Sequence, residues 1–221
     1  MASLLLLIAP CVFSLASAHS YLEVYTLKDA GGAYTNFSSY QYDLDHVGWD
    51  NMVQSVCGTG VWLMYENKGY NSDHSQGHGS WVESFIAPEY MCHNLPSTHY
   101  HELSSLRYVG SGYLEDETVT LYHSWSYEGG EALFLKDEDD LSDMTDEVSS
   151  FIITGPSPWT FYEDPYYGGI AICVEPWNVG SGKYVGTFNV NDVGLPNNIL
   201  SSIKKGCFAK TVVKAKPLTI Y

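Results

Sequence analysis

The chain has 221 residues, 45% hydrophobic and only 16% charged, and its 26 acidic against 10 basic side chains leave a formal net charge of −16. Eighteen Tyr and six Trp supply ample material for a core, which excludes wholesale disorder. Half of the basic residues (Lys204, Lys205, Lys210, Lys214, Lys216) crowd the last 18 positions, so residues 1–203 set 5 basic against 26 acidic side chains. A body so acidic lacks the Lys/Arg footprint that phosphate binding needs, which excludes nucleic acid as a partner, and its field attracts cations.

In chain order, an apolar stretch from Leu4 to Leu15 runs into Ala16-Ser17-Ala18, an A-x-A cleavage pattern. Residues 1–18 therefore read as a signal peptide, which predicts a secreted, extracellular protein beginning near His19. The stretch is too short to span a bilayer and no later apolar run reaches 18 residues, so no transmembrane segment is expected. Asn36-Phe37-Ser38 is an N-glycosylation sequon, usable if its segment is exposed. Cys11 departs with the signal, leaving Cys57, Cys92, Cys173 and Cys207. An even number in an exported chain implies two disulfides, in one of three connectivities. Cys57–Cys92 and Cys173–Cys207 are favoured because each stays within one half of the chain.

Two features recur four times in the same order. One is an aromatic, four residues, a second aromatic, one residue and Gly. It reads Tyr122…Tyr127…Gly129 and Phe161…Tyr166…Gly168, with degraded copies at Tyr25…Ala30…Gly32 and Tyr65…Tyr70…Ser72. The other is a hexad ending in Ser-Ser or Gln-Ser, at residues 50–55, 100–105, 145–150 and 197–202, trailed by Gly58, Gly110, Gly155 and Gly206. From leading aromatic to final Ser the gaps are 30, 40, 28 and 41, so short and long units alternate. Between the two halves the leading aromatics are offset by 97 and 96, and the closing Ser of the long units by 97. The chain thus divides into domain 1 at 20–110, a linker at 111–117, domain 2 at 118–208 and a basic tail at 209–221, expected to be mobile.

Segments such as Thr118–Tyr122, Glu131–Leu135 and Gly169–Val174 are short, β-branched or aromatic, and bounded by Gly and Asp/Asn/Ser clusters, whereas no helical stripe occurs. Four strands per unit predict an all-β fold of two tandem Greek-key β-sandwich domains of about eight strands each. The hairpin and its hexad together resemble the βγ-crystallin superfamily over roughly residues 22–208, closely in domain 2 and loosely in domain 1. The signal peptide sets the chain beside the exported, calcium-binding branch rather than cytosolic lens proteins.

Calcium takes six to eight oxygens at about 2.3–2.6 Å, and a hexad offers side-chain oxygens at positions 1, 2 and 5 with carbonyls between. The resemblance implies a paired site in domain 2 from Asp146, Ser149, Asn197, Asn198 and Ser201, with backbone carbonyls at Glu147 and Ile199 and from the hairpins after Gly129 and Gly168. In domain 1, Asp50 and Asn51 fit, but Gln54 replaces the hydroxyl and Tyr100-His101 replaces both Asn/Asp positions. Turn-making by Ser and Asn is the competing explanation of an isolated hexad, and fourfold repetition weighs against it. Asp137–Asp140 with Asp143 lacks the Gly, the Glu and the helices of an EF-hand and reads as a solvated edge. His74/His78 and His99/His101 lack convergent zinc partners. No nucleophile elbow, HExxH, P-loop or dinucleotide motif suggests an enzyme. The alternative is an extracellular defence or interaction module, binding glycans or partnering a pore-forming protein.

Overall fold

The computed structural model describes residues 19–72 and 80–216. The expected signal peptide, and His74 and His78, lie outside the described residues. Among those described, no helix is long and apolar enough to cross a membrane. The strands are β1 Tyr21–Leu27, β2 Gly31–Phe37, β3 Ser55–Tyr65, β4 Val82–Asn94, β5 Ser105–Tyr108, β6 Thr118–Tyr122 and β7 Glu131–Phe134. There follow β8 Ser150–Thr154, β9 Trp159–Asp164, β10 Gly168–Glu175, β11 Trp177–Gly180, β12 Lys183–Asn189, β13 Ser202–Lys205 and β14 Thr211–Lys214. The fold is all-β, as the repeats predict.

Domain 2 shows the Greek-key logic most plainly. One sheet runs β11-β12-β8-β6-β7 and the other β13-β9-β10-β14. The third strand of each unit crosses to the opposite sheet. In the first unit the crossing shrinks to a single bridge, Glu138 to Ile203. In the second its place is taken by the hairpin β11–β12, whose β12 pairs antiparallel with β8. Val119, Leu121, Phe151, Ile153, Trp159, Phe161 and Ile203 meet between the sheets. Burying side chains of this size contributes about 1.5–3 kcal/mol each, which is what holds the two layers together.

Domain 1 uses the same plan with fewer breaks. Its sheet order is β2-β1-β3-β4, with β5 also on β3. Residues 55–59 of β3 pair with β1, and residues 62–65 pair with β5. One strand therefore serves both layers, bending at Gly58-Thr59-Gly60, where its register against β4 shifts. Gly60 is required at the bend: its φ is +96°, and a Cβ there would fall 1.9 Å from Ser20 Oγ. In domain 2 the corresponding passage contains Pro156 and Pro158, which cannot donate to a ladder, so β8 and β9 are separate strands.

Cys57 and Cys92 face each other across β3 and β4 and form one disulfide, and Cys173–Cys207 forms the other. The basic tail differs from expectation. Residues 211–214 form β14, parallel to β10, and Lys214 pairs with Glu175 at 3.1 Å. The acidic body of domain 2 thus supplies the partner of Lys214.

Candidate metal centre

Each hexad begins as a turn and ends as a clamp. The residue at position 2 has a left-handed backbone in all four copies: Asn51 (φ 56), His101 (60), Asp146 (58) and Asn198 (59). Asn, Asp and His tolerate that region better than other L-residues, so the backbone alone explains part of the motif. Position 4 (Val53, Leu103, Val148, Leu200) plugs into the core, and the final Ser (Ser55, Ser105, Ser150, Ser202) is also buried.

That final Ser pairs directly with the leading aromatic of its unit: Tyr25↔Ser55, Tyr65↔Ser105, Tyr122↔Ser150 and Tyr162↔Ser202. Its hydroxyl donates to a hairpin carbonyl, at Leu27, Asn67, Ser124 or Asp164, over 2.6–2.7 Å. The same oxygen accepts the N–H of Ala30, Tyr70, Tyr127 or Tyr167 over 2.9–3.1 Å. The fourth hairpin therefore reads Tyr162…Tyr167…Gly169, one residue beyond the expected Phe161…Tyr166…Gly168. Alternation along β9 explains the shift, because Phe161 points into the core while Tyr162 packs edge-on against Tyr167 at 5.5 Å. Gly169, with φ +69°, fills the role that Gly129 (φ +74°) has in the third hairpin. With Tyr162 as the landmark, the leading aromatics of both unit pairs, Tyr25 to Tyr122 and Tyr65 to Tyr162, are offset by 97.

Within a domain the two hexads are joined reciprocally. The position-2 N–H of each donates to the position-4 carbonyl of the other: Asn51 to Leu103, His101 to Val53, Asp146 to Leu200 and Asn198 to Val148, over 3.0–3.3 Å. Side chains follow the same diagonal but differ in chemistry. In domain 2, Ser149 Oγ donates to Asn198 Oδ1 at 3.3 Å, a weak contact between two groups that are both able to ligate. In domain 1, Gln54 Nε2 and His101 Nε2 stand 2.8 Å apart and satisfy one another.

Asn197 Oδ1 and Asp50 Oδ1, both at hexad position 1, are buried acceptors without a hydrogen-bond partner. A buried acceptor left unpaired costs about 1–3 kcal/mol, and a cation is a ligand that removes the cost. The other oxygens of the two hexads are of the kind an oxygen-seeking ion takes: Asn198, Asp146, the buried Ser149 and Ser201, and the backbone at Glu147 and Ile199. The Glu147 carboxylate itself lies 3.9 Å from His123. In domain 1, Asn51 Nδ2 donates to Asp50 Oδ2 at 2.8 Å, so half of the Asp50 carboxylate is already engaged. The Gln54–His101 pair makes the other half of domain 1 a poor cation site.

The competing groups fall elsewhere. No cluster of three or more His, Cys, Asp or Glu side chains able to hold a metal occurs among the described residues. His99 stacks on Trp81 and faces Glu83 at 3.6 Å, while His101 turns to Gln54. The acidic run forms the crossing edge of domain 2: Tyr166 N–H donates to Asp139 O, and Lys205 N–H to Asp137 Oδ1. Asn36 and Ser38 are both exposed.

Sequence reasoning overlooked one constellation. Arg107, the chain's single arginine, is buried between the domains. Its Nε donates to Tyr65 Oη at 2.9 Å, Nη1 to Gly129 O at 3.0 Å and Nη2 to Tyr127 O at 2.7 Å. Glu131 Oε2 lies 3.3 Å from Nε, and the rings of Tyr70 and Tyr122 lie against the guanidinium. Burial pushes the Glu131 carboxyl above its ordinary range, while Arg107 and Tyr40 pull it down. The signal was a lone Arg in an acidic, tyrosine-rich chain.

A family model described as peptidase inhibitor family I36 matches residues 116–174, well under half of the chain. No curated protein matches. Among solved structures, Geodin, a βγ-crystallin from Geodia cydonium, is 24% identical with a TM-score of 0.62, and the alignment covers 85% of this chain and 99% of that one. An archaeal βγ-crystallin is 26% identical over 40% of this chain and 96% of its own, with a TM-score of 0.34. Protein S complexed with calcium is 16% identical, covering 85% and 99% of the two chains, with a TM-score of 0.31. The likeness to Geodin spans both domains, and with the crossed sheets and the fourfold hairpin–hexad clamp it shows that the chain has the two-domain βγ-crystallin fold.

Proposed function

We propose that the protein is an exported, non-enzymatic calcium-binding protein, in which the ion stabilises domain 2 by joining its two hexads. The observation that carries this reading is Asn197 Oδ1, a buried acceptor without a partner in a domain whose hexads are already cross-bonded. Asp146, Ser149, Asn197, Asn198 and Ser201 would hold the ion with carbonyls near Glu147 and Ile199, and Asp50 and Asn51 would form a weaker site. Calcium supplies a compact positive charge that neutralises these oxygens and converts binding energy into folding energy. At free calcium 100 times the dissociation constant the gain is about 2.7 kcal/mol. Extracellular modules bind at roughly 10⁻⁴–10⁻³ M, so modest affinity suffices outside the cell. The test is a thermal melt in EGTA and in about 2 mM CaCl₂, with magnesium as control. A calcium-specific rise that disappears in Ser201→Ala and Asn197→Ala is expected. An equal melt in both buffers would sink the proposal.

The match of residues 116–174 to a peptidase-inhibitor family favours a second reading, an extracellular interaction module. Its partner would be a peptidase, and a panel of secreted peptidases assayed with and without the protein tests it: no inhibition at stoichiometric excess removes the reading.

A further inference from the structure

The outer face of the first sheet of domain 1 is paved with tyrosine. Leu22 and Val24 of β1 enter the core, so Tyr21, Glu23 and Tyr25 face out. On β2, Tyr34 stands opposite Tyr25 and Asn36 opposite Glu23. Tyr25 stacks on Tyr34 (5.5 Å, 22°) and Tyr21 on Tyr90 (6.2 Å, 24°). The Glu23 carboxylate fixes the arrangement, since its Oε2 accepts from Tyr25 Oη at 2.8 Å and from Tyr90 Oη at 2.7 Å. Tyr34 nevertheless remains 62% exposed and Tyr90 52%.

Asn36 opens the sequon Asn36-Phe37-Ser38, and it lies on this face. Phe37 is buried and pins β2, whereas Asn36 and Ser38 are open to solvent. Residues two apart on a strand share a face at a spacing of about 7 Å, so a sugar on Asn36 starts within one ring's length of Tyr34. We propose that Asn36 carries an N-linked glycan and that its first N-acetylglucosamine lies on the tyrosine face, its apolar ring face on Tyr34 and Tyr25 and its hydroxyl and amide donors toward Glu23. Stacked, tethered rings lose little freedom on contact, and the carboxylate supplies an acceptor that sugar donors lack on a purely apolar sheet. The attachment point also sits on β2, the edge strand, where a bulky polar chain blocks pairing with a second sheet. The inference rests on the export part of the proposed function and is independent of calcium.

The experiment uses the full chain expressed in eukaryotic cells that make high-mannose glycans, with intact mass and cell fraction recorded. Melts at fixed calcium compare wild type, wild type trimmed by endoglycosidase to one N-acetylglucosamine, Ser38→Ala, Tyr34→Ala and the double variant. A glycan mass lost in Ser38→Ala is expected. Wild type and the trimmed form should melt together, about 2–4 °C above Ser38→Ala. In the Tyr34→Ala background, Ser38→Ala should move the melt by less than half as much. Exported protein without a glycan overturns the proposal and leaves export standing, and retained, unglycosylated protein overturns both. A glycan whose effect is undiminished by Tyr34→Ala overturns the tyrosine contact.

Discussion

At the level of single residues, position 2 of each hexad carries two separable demands. The left-handed backbone at Asn198 disfavours most side chains by roughly 1–2 kcal/mol, while glycine accepts it freely. In EGTA, Asn198→Gly should therefore melt close to wild type and Asn198→Ala clearly below it. In calcium both should lose the added stabilisation, because neither retains the amide oxygen. Equal losses in EGTA would mean that the side chain's contact with Ser149, not the backbone, sets the preference. Position 6 has a simpler role. Ser150 is buried, donates to Ser124 O and accepts from Tyr127 N–H, so Ser150→Ala removes one hydrogen bond from each of two hairpin groups. A loss of about 1–3 kcal/mol in urea denaturation is expected, with or without calcium.

At the level of elements, the repeat was legible because it is written in residue types that the backbone itself selects. Left-handed turns, glycines and buried serines recur wherever a hairpin folds onto its sheet, so four copies announced four Greek-key units. What escaped was register and continuity. Phe161 and Tyr162 are adjacent aromatics, and only the pairing with Ser202 identifies which one leads the hairpin. The fusion of two expected strands into β3 was hidden because Gly58-Thr59-Gly60 reads as a turn until both layers are present. The crossing strands were invisible for another reason: Gln41 and Glu138 each form a single bridge, too short for an apolar alternation to register. The candidate site was legible in its residue types, whereas the mutual satisfaction of Gln54 and His101 required coordinates.

At the level of the whole molecule, the two domains share an apolar seam of Val61, Leu63, Tyr65, Ile86, Val109, Tyr122, Ile152 and Val185. Arg107 crosses it to reach the carbonyls of Tyr127 and Gly129. Arg107→Ala would strand the largely buried Glu131 carboxylate and should cost about 3–5 kcal/mol, read as lost cooperativity between domain transitions in calorimetry. Acidity should act through Glu131, whose pKa in the folded protein exceeds its ordinary value of 4.5. A carboxyl with a raised folded pKa contributes stability that is full below its unfolded value and is lost as pH rises through the folded one. Wild type should therefore lose ground to Glu131→Gln as pH rises from below 4.5 toward neutrality, and a pH-independent difference would contradict this. The seam also adjoins the proposed ion site. Ser149 belongs to that site, its neighbour Ser150 clamps the hairpin 122–129, and that hairpin carries the carbonyls Arg107 holds. Thermodynamic reciprocity then makes domain 1 an effector of domain 2: whatever factor calcium adds to the docking equilibrium, docking returns to calcium affinity. A domain with poor sites of its own would then act as an allosteric subunit, setting the calcium threshold of its partner.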